Sequence, residues 1–150
     1  MKNETIPPDF YIFATDIDRE ALRTGKEGIY SIEDVSNVKL GLLRKYFSVE
    51  KNIYRIDEKI KEKVSFSFFD LLHKRSFSPA ESIFGGFDIV LCRNVLIYFN
   101  FEFQEIIFEK LYRSLNSGGY LILGESETPV EKYKSKFKKV NNCCKIYRKI

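Results

Sequence analysis

The sequence predicts an α/β fold with a mostly parallel, doubly wound sheet. Short apolar segments typical of strands alternate with helical segments along the chain, which is the order that such sheets require. The strand predicted at residues 87–92 is almost purely apolar, as strands buried on both faces of a parallel sheet are. Polar residues follow it directly, and open α/β sheets bind ligands beyond the carboxyl ends of their strands. Arg93, Asn94 and Tyr98 are therefore the first candidates for chemistry.

Length and composition fit one globular domain, residues 1–150. A chain of 150 residues can bury a core, and 44% hydrophobic with 31% charged residues is typical of folded proteins. The net charge of +4 is too small to indicate a nucleic-acid partner by itself. The lysines and arginines near the C-terminus fit a solvated surface better than a functional basic patch. We therefore expect no nucleic-acid partner.

Hydropathy and cysteine spacing predict a cytoplasmic protein without a metal site. No apolar run approaches the roughly 18 to 20 residues of a membrane helix, and the N-terminus lacks a signal-peptide core. Cys92, Cys143 and Cys144 form neither a disulfide framework nor a metal-ligand spacing, and the single histidine, His73, stands apart from them. We therefore expect a cytoplasmic location, no membrane insertion and no metal.

The N-terminal part begins with a strand and a helix. Residues 10–14 are mostly aromatic and apolar and predict a buried strand that ends before Asp16. Asp18 can cap the helix that follows, from residue 19 to about 26. Gly25 and Gly28 are expected to end this helix.

The segment from residue 29 to 63 is too long for a simple connection between a helix and a strand, and we predict an inserted β-subdomain there. Within it, residues 38–47 show a helical pattern, and residues 52–56 alternate as a strand does. We expect a turn at 48–52 between them. Strict alternation at residues 64–68 predicts the strand that follows the subdomain.

The C-terminal part continues the alternation of strands and helices. A polar loop at 73–86 leads into the apolar strand, and Asn100 is expected to cap a long helix that ends at residues 116–119. Residues 120–124 predict a second buried strand, and residues 143–148 predict a strand of a closing antiparallel pair. The apolar face predicted for the helix comprises Phe103, Ile106, Ile107, Leu111 and Leu115.

Two aspartates stand at predicted strand ends. Asp16 lies between a strand and a helix, where nucleotide-binding α/β domains hold ribose hydroxyls with a carboxylate. A role as a capping or turn aspartate is equally compatible with that position. Asp70 can accept a hydrogen bond from an adenine amino group, or it can cap the turn into Leu71 and Leu72.

Three residues around the apolar strand's end also have two interpretations each. Arg93 can orient a carboxylate with two parallel hydrogen bonds, or it can be buried against a neighbouring aspartate. Tyr98 can place its ring near a reacting group, or it can pack with Phe99 in the core. We expect Cys92 to be buried and inert, because no histidine stands near it in sequence to activate it.

Taken together, these segments resemble one enzyme family. FDIVLCRNVLIYF at 87–99, followed by a helix and then by LNSGGYLILGESE at 115–127, strongly resembles the CheR-type chemoreceptor glutamate O-methyltransferases. ATDIDREALRTGKEGIY at 14–30 and SFFDLL at 67–72 are similar to family segments that occur in the same order. The CRNV-IYF string is far more specific than a lone glycine-rich loop. The resemblance implies a Rossmann-like sheet of an S-adenosylmethionine-dependent methyltransferase.

The resemblance also implies an activity and a site. The family transfers the methyl group of S-adenosylmethionine to glutamate side chains of chemotaxis receptors, so the expected partner is the cytoplasmic domain of a chemoreceptor. Arg93, which would position the carboxylate, and Tyr98, which would shape the methyl pocket, are the implied catalytic residues. The implied cofactor-binding residues are Asp16 at the ribose, Asp70 and Leu71 beside the adenine, and Cys92 and Arg93 at the strand end.

The chain departs from the family pattern at its start. Family members carry an N-terminal helical domain, a first strand and a glycine-containing cofactor loop before the segment that matches residue 10, and no such loop precedes Asp16 here. We therefore expect a partial methyltransferase domain that lacks this strand and loop. In the family's sheet, that first strand lies between the strands that end at Asp16 and Arg93. Its absence predicts a gap, a rearranged pairing of those two strands, or a second chain that supplies the strand.

Methyl transfer by such a chain is expected to be impaired or incomplete. The alternative function is a non-catalytic, methyltransferase-like remnant that acts as a protein-interaction module. Methylation of RNA or DNA is less well supported, because the D/N-P-P-Y motif is absent and the sequence shows no platform of aromatic and basic residues for stacking bases.

Overall fold

The structure is a computed structural model that describes residues 9–73, 86–140 and 143–150. The chain divides into two compact units, residues 1–69 and residues 70–150. Both units combine helices with sheets, so the predicted α/β class is confirmed. None of the helices described is long and apolar enough to cross a membrane.

The first unit contains a parallel pair of strands and a small antiparallel sheet. Its elements are, in order, β1 (Ile12–Asp16), α1 (Arg19–Glu27), β2 (Ile29–Tyr30), α2 (Leu40–Tyr46), β3 (Phe47–Glu50), β4 (Ile53–Ile56), α3 (Glu58–Lys61) and β5 (Val64–Phe68). Strands β1 and β5 pair in parallel, and β4 lies between β2 and β3 in the antiparallel sheet. The strand predicted at residues 10–14 therefore begins and ends two residues later, with Asp16 as its last residue.

Helix α1 has the N-cap that the sequence predicts. Asp18 Oδ1 accepts a hydrogen bond from the backbone N–H of Glu20 at 2.8 Å. The helix ends at Gly28, whose φ of +65° is the left-handed conformation that glycine adopts without a steric penalty. The prediction that Gly25 ends the helix is wrong, because Gly25 lies within α1. Its lack of a side chain lets α1 approach β5, since a Cβ atom there would lie 2.4 Å from the Phe66 ring.

The predicted turn at 48–52 is wrong, because strand β3 continues to Glu50. The connection to β4 is a two-residue turn at Lys51 and Asn52, with φ values of +48° and +65°. Two consecutive left-handed residues match the right-handed twist of the flanking strands in a tight hairpin. The sequence signal was weak because lysine rarely adopts this conformation, whereas asparagine does so more readily.

The second unit is a four-stranded mixed sheet with one long helix. Its elements are, in order, β6 (Phe87–Cys92), a short 3-10 helix (Leu96–Tyr98), α4 (Phe101–Ser114), β7 (Leu115–Leu123), α5 (Glu131–Lys134), β8 (Phe137–Lys139) and β9 (Ile146–Lys149). The strand order is β6-β7-β9-β8, with β6 and β7 parallel and the other two pairs antiparallel. The closing antiparallel pair is confirmed, but the prediction of a mostly parallel sheet is wrong for this unit, because only one of its three strand pairs is parallel. Most of the polar loop predicted at 73–86 lies outside the described residues.

Helix α4 is capped as predicted, and the predicted apolar face is confirmed in part: Ile107, Leu111 and Leu115 are buried, whereas Phe103 and Ile106 are exposed. Asn100 Oδ1 accepts a hydrogen bond from the Phe103 N–H at 3.0 Å. Phe103 is nevertheless 42% exposed, and Phe108, absent from the predicted face, is fully buried with Ile107. The helix ends at Ser114 because Leu115 takes an extended backbone, so the glycines at 118 and 119 lie within β7 instead of stopping the helix.

Strands β1 and β6 are each at the edge of their own sheet in the described residues. Burial of β6 on both faces, which its composition predicts, is wrong: Ile89 and Leu91 are 55% and 67% exposed. Only the alternate residues, Val90 and Cys92, face the core of the second unit. The burial predicted for β1 is wrong in the same way, since Ile12 is half-exposed at the start of that strand.

Candidate functional site

The candidate site in the second unit lies beyond the carboxyl ends of two parallel strands. Strands β6 and β7 finish in register, with Cys92 opposite Leu123. The chain segments that follow, residues 93–98 and 124–127, therefore begin at the same edge of the sheet. We call residues 93–98 the strand-end loop. It is at this kind of edge that α/β sheets place their ligands.

Arg93 is exposed at the start of the strand-end loop. In the described part of the chain, no carboxylate pairs with its guanidinium, so burial against a neighbouring aspartate is wrong. Its five N–H donors are thus available to a carboxylate of another molecule, which guanidinium can bind with two parallel hydrogen bonds.

Tyr98 closes the strand-end loop as the last residue of the 3-10 helix. Its side chain is 79% exposed, so packing into the core is wrong, whereas the neighbouring Phe99 does pack against the core. Gln104 holds this end of the loop, because its Nε2 donates to the carbonyl oxygens of Leu96 at 3.1 Å and Phe99 at 3.0 Å. The loop therefore presents the exposed guanidinium of Arg93 at one end and the exposed phenol ring of Tyr98 at the other.

Cys92 lies just before the loop and is buried in the core, as predicted. Burial raises the pKa of the thiol to about 12, and the negative charge of Glu127 adds to the shift. A thiol with this pKa is protonated at neutral pH and is not a nucleophile. Cys92 contributes apolar packing at the strand end, and the remaining chemistry belongs to its neighbours.

We predict that Cys92 resists alkylation in the folded chain. Iodoacetamide at pH 8 is expected to label the exposed Cys143 and Cys144 but to reach Cys92 only after unfolding in urea. Mass spectrometry of the labelled peptides measures this order. Equal labelling rates for all three thiols would contradict the burial of Cys92.

The raised pKa of the Cys92 thiol predicts that the free energy of unfolding falls at alkaline pH. Its pKa is raised from 9.0 only in the folded chain, so its contribution to stability is complete below pH 9 and is lost as the pH rises towards 12.

Asp70 and Leu71 form a turn that is held by helix α4. Asp70 Oδ1 accepts a hydrogen bond from the Leu72 N–H at 2.8 Å, so the turn-capping interpretation is observed. Leu71 packs against the core, and the buried Lys110 of α4 donates from its Nζ to the carbonyl oxygens of Asp70 and His73. Burial lowers the pKa of Lys110, and the charge of Asp70 opposes that effect.

Asp16 belongs to the first unit, where it also makes a turn. Its Oδ1 accepts a hydrogen bond from the Asp18 N–H at 2.9 Å, and the side chain is exposed. The turn interpretation is therefore observed for Asp16 as well. A carboxylate has about four acceptor positions, so a single backbone hydrogen bond leaves capacity for hydroxyl donors.

Sequence reasoning missed Glu127, which is buried at the same edge of the sheet as the strand-end loop. Its carboxylate accepts hydrogen bonds from four backbone N–H groups: Asn94 at 3.0 Å, Val95 at 2.8 Å, Leu96 at 2.8 Å and Gly124 at 2.6 Å. A usable signal was present, because the acidic segment GESE follows β7 just as Arg93-Asn94 follows the parallel strand β6. Reading both strand ends together would have placed these residues side by side.

The chemistry of the candidate cofactor residues is compatible with an adenosyl group, each unit taken by itself. In the first unit, Asp16 keeps acceptor capacity for ribose hydroxyls, and in the second unit Asp70 keeps acceptor capacity for an adenine amino group. Arg93 can hold an acidic substrate group. The Cys92 thiol is not expected to form a covalent intermediate, because it is buried and protonated at neutral pH.

Comparison with known proteins identifies the family. Residues 1–146 match the model of the family described as CheR methyltransferase, SAM binding domain. The chain is 35% identical to chemotaxis protein methyltransferase 2 of Vibrio cholerae over 121 residues, covering 80% of this chain and 41% of that protein. It is 33% identical to the chemotaxis protein methyltransferase of Escherichia coli over 127 residues, covering 82% of this chain and 43% of that protein.

A third relative is the chemotaxis protein methyltransferase of Vibrio anguillarum. It is 36% identical over 128 residues, covering 81% of this chain and 42% of that protein. The chain thus spans about two fifths of the length of these relatives. S-adenosylmethionine is the methyl donor that this domain family implies. Since the family model covers nearly the whole chain, the protein belongs to the CheR methyltransferase SAM-binding domain family.

Proposed function

We propose that this chain takes part in S-adenosylmethionine-dependent O-methylation of glutamate side chains on chemotaxis receptors. The observation that carries the proposal is the exposed guanidinium of Arg93 just after β6, which pairs with no carboxylate among the described residues, in a chain of this family. An acidic side chain on the cytoplasmic domain of a chemoreceptor is the substrate that a free guanidinium would bind. The relatives named as chemotaxis protein methyltransferases support the same assignment.

The proposed methyl transfer does not require a side chain that acts as a general acid or base. When bound, S-adenosylmethionine supplies a sulfonium methyl carbon that a glutamate oxygen can attack directly, with the electron pair of the broken carbon–sulfur bond leaving on sulfur. The glutamate is already ionised at neutral pH, so no general base is needed. Arg93 would hold the carboxylate in line, and Tyr98 would exclude water and shape the methyl pocket. Asp16, Asp70 and Leu71 would hold the adenosyl group, with Cys92 packed beneath the strand end.

We further propose that residues 1–150 form a partial methyltransferase domain, with residues 29–63 as its inserted β-subdomain. The three-stranded sheet β2-β4-β3 supports the second part, since all of its strands fall within that range. Strand β6 supports the first part: among the described residues it lies at the edge of its sheet, and it exposes Ile89 and Leu91, apolar residues that an additional strand and its flanking layers would cover. A strand supplied by a second chain would pair with β6 and extend this sheet.

The same exposed residues favour a second candidate function. Ile89, Leu91 and Ile97 form apolar surface on β6 and the strand-end loop, and surface of this kind marks protein interfaces. The chain would then be a non-catalytic interaction module that keeps the family fold. Retention of a folded chain without cofactor binding would favour this function over methyl transfer.

The proposed function is tested by methyl-ester formation. The chain is incubated with S-adenosylmethionine carrying a tritiated methyl group and with the cytoplasmic fragment of a chemoreceptor. We expect receptor-bound radioactivity that alkali releases as methanol, because carboxylate esters are base-labile and amides or methylamines are not. A receptor fragment whose glutamates are replaced by glutamine is the control. Alkali-stable label, or none above that control, would contradict the proposal.

A further inference from the structure

Glu127 is a buried carboxylate whose two oxygens are both occupied by backbone N–H groups. Only 4% of the residue is exposed. Oε1 accepts from Val95 and Leu96, both at 2.8 Å, and Oε2 accepts from Asn94 at 3.0 Å and Gly124 at 2.6 Å. A carboxylate out of water is strongly unfavourable unless such bonds replace its hydration, and bonds to a charged acceptor are stronger than neutral ones. This arrangement needs a cause beyond packing, since an apolar side chain would fill the volume with less penalty.

Gly124 shows that the contact is built into the local backbone. A Cβ atom at Gly124 would lie 2.3 Å from Asn94 Oδ1 and 2.8 Å from Glu127 Oε2. Only glycine therefore allows the segment after β7 to approach the segment after β6 this closely. Asn94 in turn has a φ of +57°, a left-handed conformation that its N–H bond to Glu127 helps to hold.

The three consecutive N–H groups that Glu127 binds begin directly after Arg93. We propose that Glu127 is a positioning residue of the methyl-transfer site: it holds the backbone of residues 94–96 and thereby sets the directions in which Arg93 and Tyr98 leave the strand-end loop. The catalytic role of the loop in this inference rests on the proposed function. The hydrogen bonds by which Glu127 holds the loop do not depend on it. Glu127 does not act as a base in this account, because all of its contacts are to backbone donors.

The loop has a second anchor, which makes the role of Glu127 separable from general stability. Gln104 of α4 binds the carbonyl oxygens of Leu96 and Phe99, so the far end of the loop remains attached when Glu127 is changed. Arg93 and Asn94 have no such second anchor among the described residues. Loss of the carboxylate is therefore expected to release the start of the loop while leaving the sheet intact.

The test compares Glu127→Gln with Glu131→Gln by amide hydrogen exchange in this chain. Glutamine has the same shape, but its NH₂ group faces two N–H donors in either orientation, so about half of the bonds are lost. We expect exchange either at Asn94 or at Val95 and Leu96, whichever N–H groups face the NH₂ group, to become roughly 10- to 100-fold faster, while Leu121 in β7 is unchanged. Glu131 is the control, because its exposed carboxylate pairs with Lys134 and with no other cation in the described part of the chain.

Gly124→Ala is the second variant, since it displaces the same carboxylate without removing its charge. Faster exchange confined to residues 94–96 in both variants supports the proposal. Unchanged exchange there overturns it. Equal acceleration throughout β7 and β9, or loss of the folded state in both variants, also overturns it, because Glu127 would then serve the stability of the whole unit.

A methyl-transfer assay of the same variant distinguishes failure of this inference from failure of the proposed function. If the wild-type chain transfers methyl groups to the receptor fragment, Glu127→Gln is expected to lower kcat by roughly 10-fold with KM for the receptor nearly unchanged. The reason is that a misplaced Arg93 would no longer align the bound carboxylate. A full kcat would overturn the positioning role. If the wild-type chain transfers nothing, the proposed function fails, and the exchange measurement alone still decides whether Glu127 holds the loop.

Discussion

Replacing Arg93 by alanine is expected to lower methyl transfer by at least roughly 100-fold, the loss typical of removing one charge-stabilising donor from an active site. Arg93 is exposed and pairs with no carboxylate in the described part of the chain, so the change should leave the free energy of unfolding nearly unaltered. The measurement is the rate of alkali-labile methyl-ester formation on a receptor fragment. Urea unfolding of the same variant checks that the loss is functional.

Two further variants sharpen this test. Arg113→Ala removes an arginine that pairs with Glu109 on the surface of α4, and it is expected to transfer at the wild-type rate. Arg93→Lys keeps the charge but not the planar fork, and its rate should fall between those of the wild type and Arg93→Ala. Full transfer by Arg93→Ala would remove Arg93 from the mechanism.

Replacing Phe108 by alanine is expected to lower the free energy of unfolding of the second unit by about 3–5 kcal/mol. Phe108 is fully buried against β7, and its ring stacks on Tyr133 with the centroids 6.2 Å apart. Removing the ring would leave a cavity in the core of this unit. Urea denaturation followed by far-ultraviolet circular dichroism measures the change.

Phe103→Ala is the matched control on the same helix. Phe103 is 42% exposed, so the same truncation there is expected to cost about 1 kcal/mol or less. Equal losses from the two variants would contradict the orientation of α4. The periodicity of the sequence alone assigned Phe103 to the apolar face and omitted Phe108, so this pair tests the structure where it differs from the pattern.

Elements with local causes were predictable from the sequence. The strands at 64–68 and 87–92 and the caps at Asp18 and Asn100 depend on alternation, on apolar composition and on one side-chain hydrogen bond each. The exposed face of β6 was not predictable, because burial depends on what packs against a strand and not on the strand itself. The exposure of Phe103 and Ile106, two of the five residues predicted for the apolar face of α4, was not predictable for the same reason.

The sequence drew attention to Arg93 and Tyr98, but it did not predict how the loop that carries them is held. Arg93 and Tyr98 stand out in sequence because polar residues follow an apolar strand, and the structure leaves both exposed. Glu127 is separated from Asn94 by 33 residues, and their contact arises only when β6 and β7 pair in parallel. Asp16 and Asp70 had two interpretations each, and the turn hydrogen bonds that the structure shows are compatible with an additional ligand.

The central claim is that this chain is a cofactor-binding part of a methyl-transfer site, and titration calorimetry with S-adenosylhomocysteine tests it most directly. This demethylated product carries the adenosyl group that Asp16, Asp70 and Leu71 are proposed to hold, and it cannot be consumed during the titration. The account predicts binding with micromolar affinity. A chain that circular dichroism shows to be folded, and that binds nothing at millimolar concentrations of the product, would contradict the account and favour the interaction module.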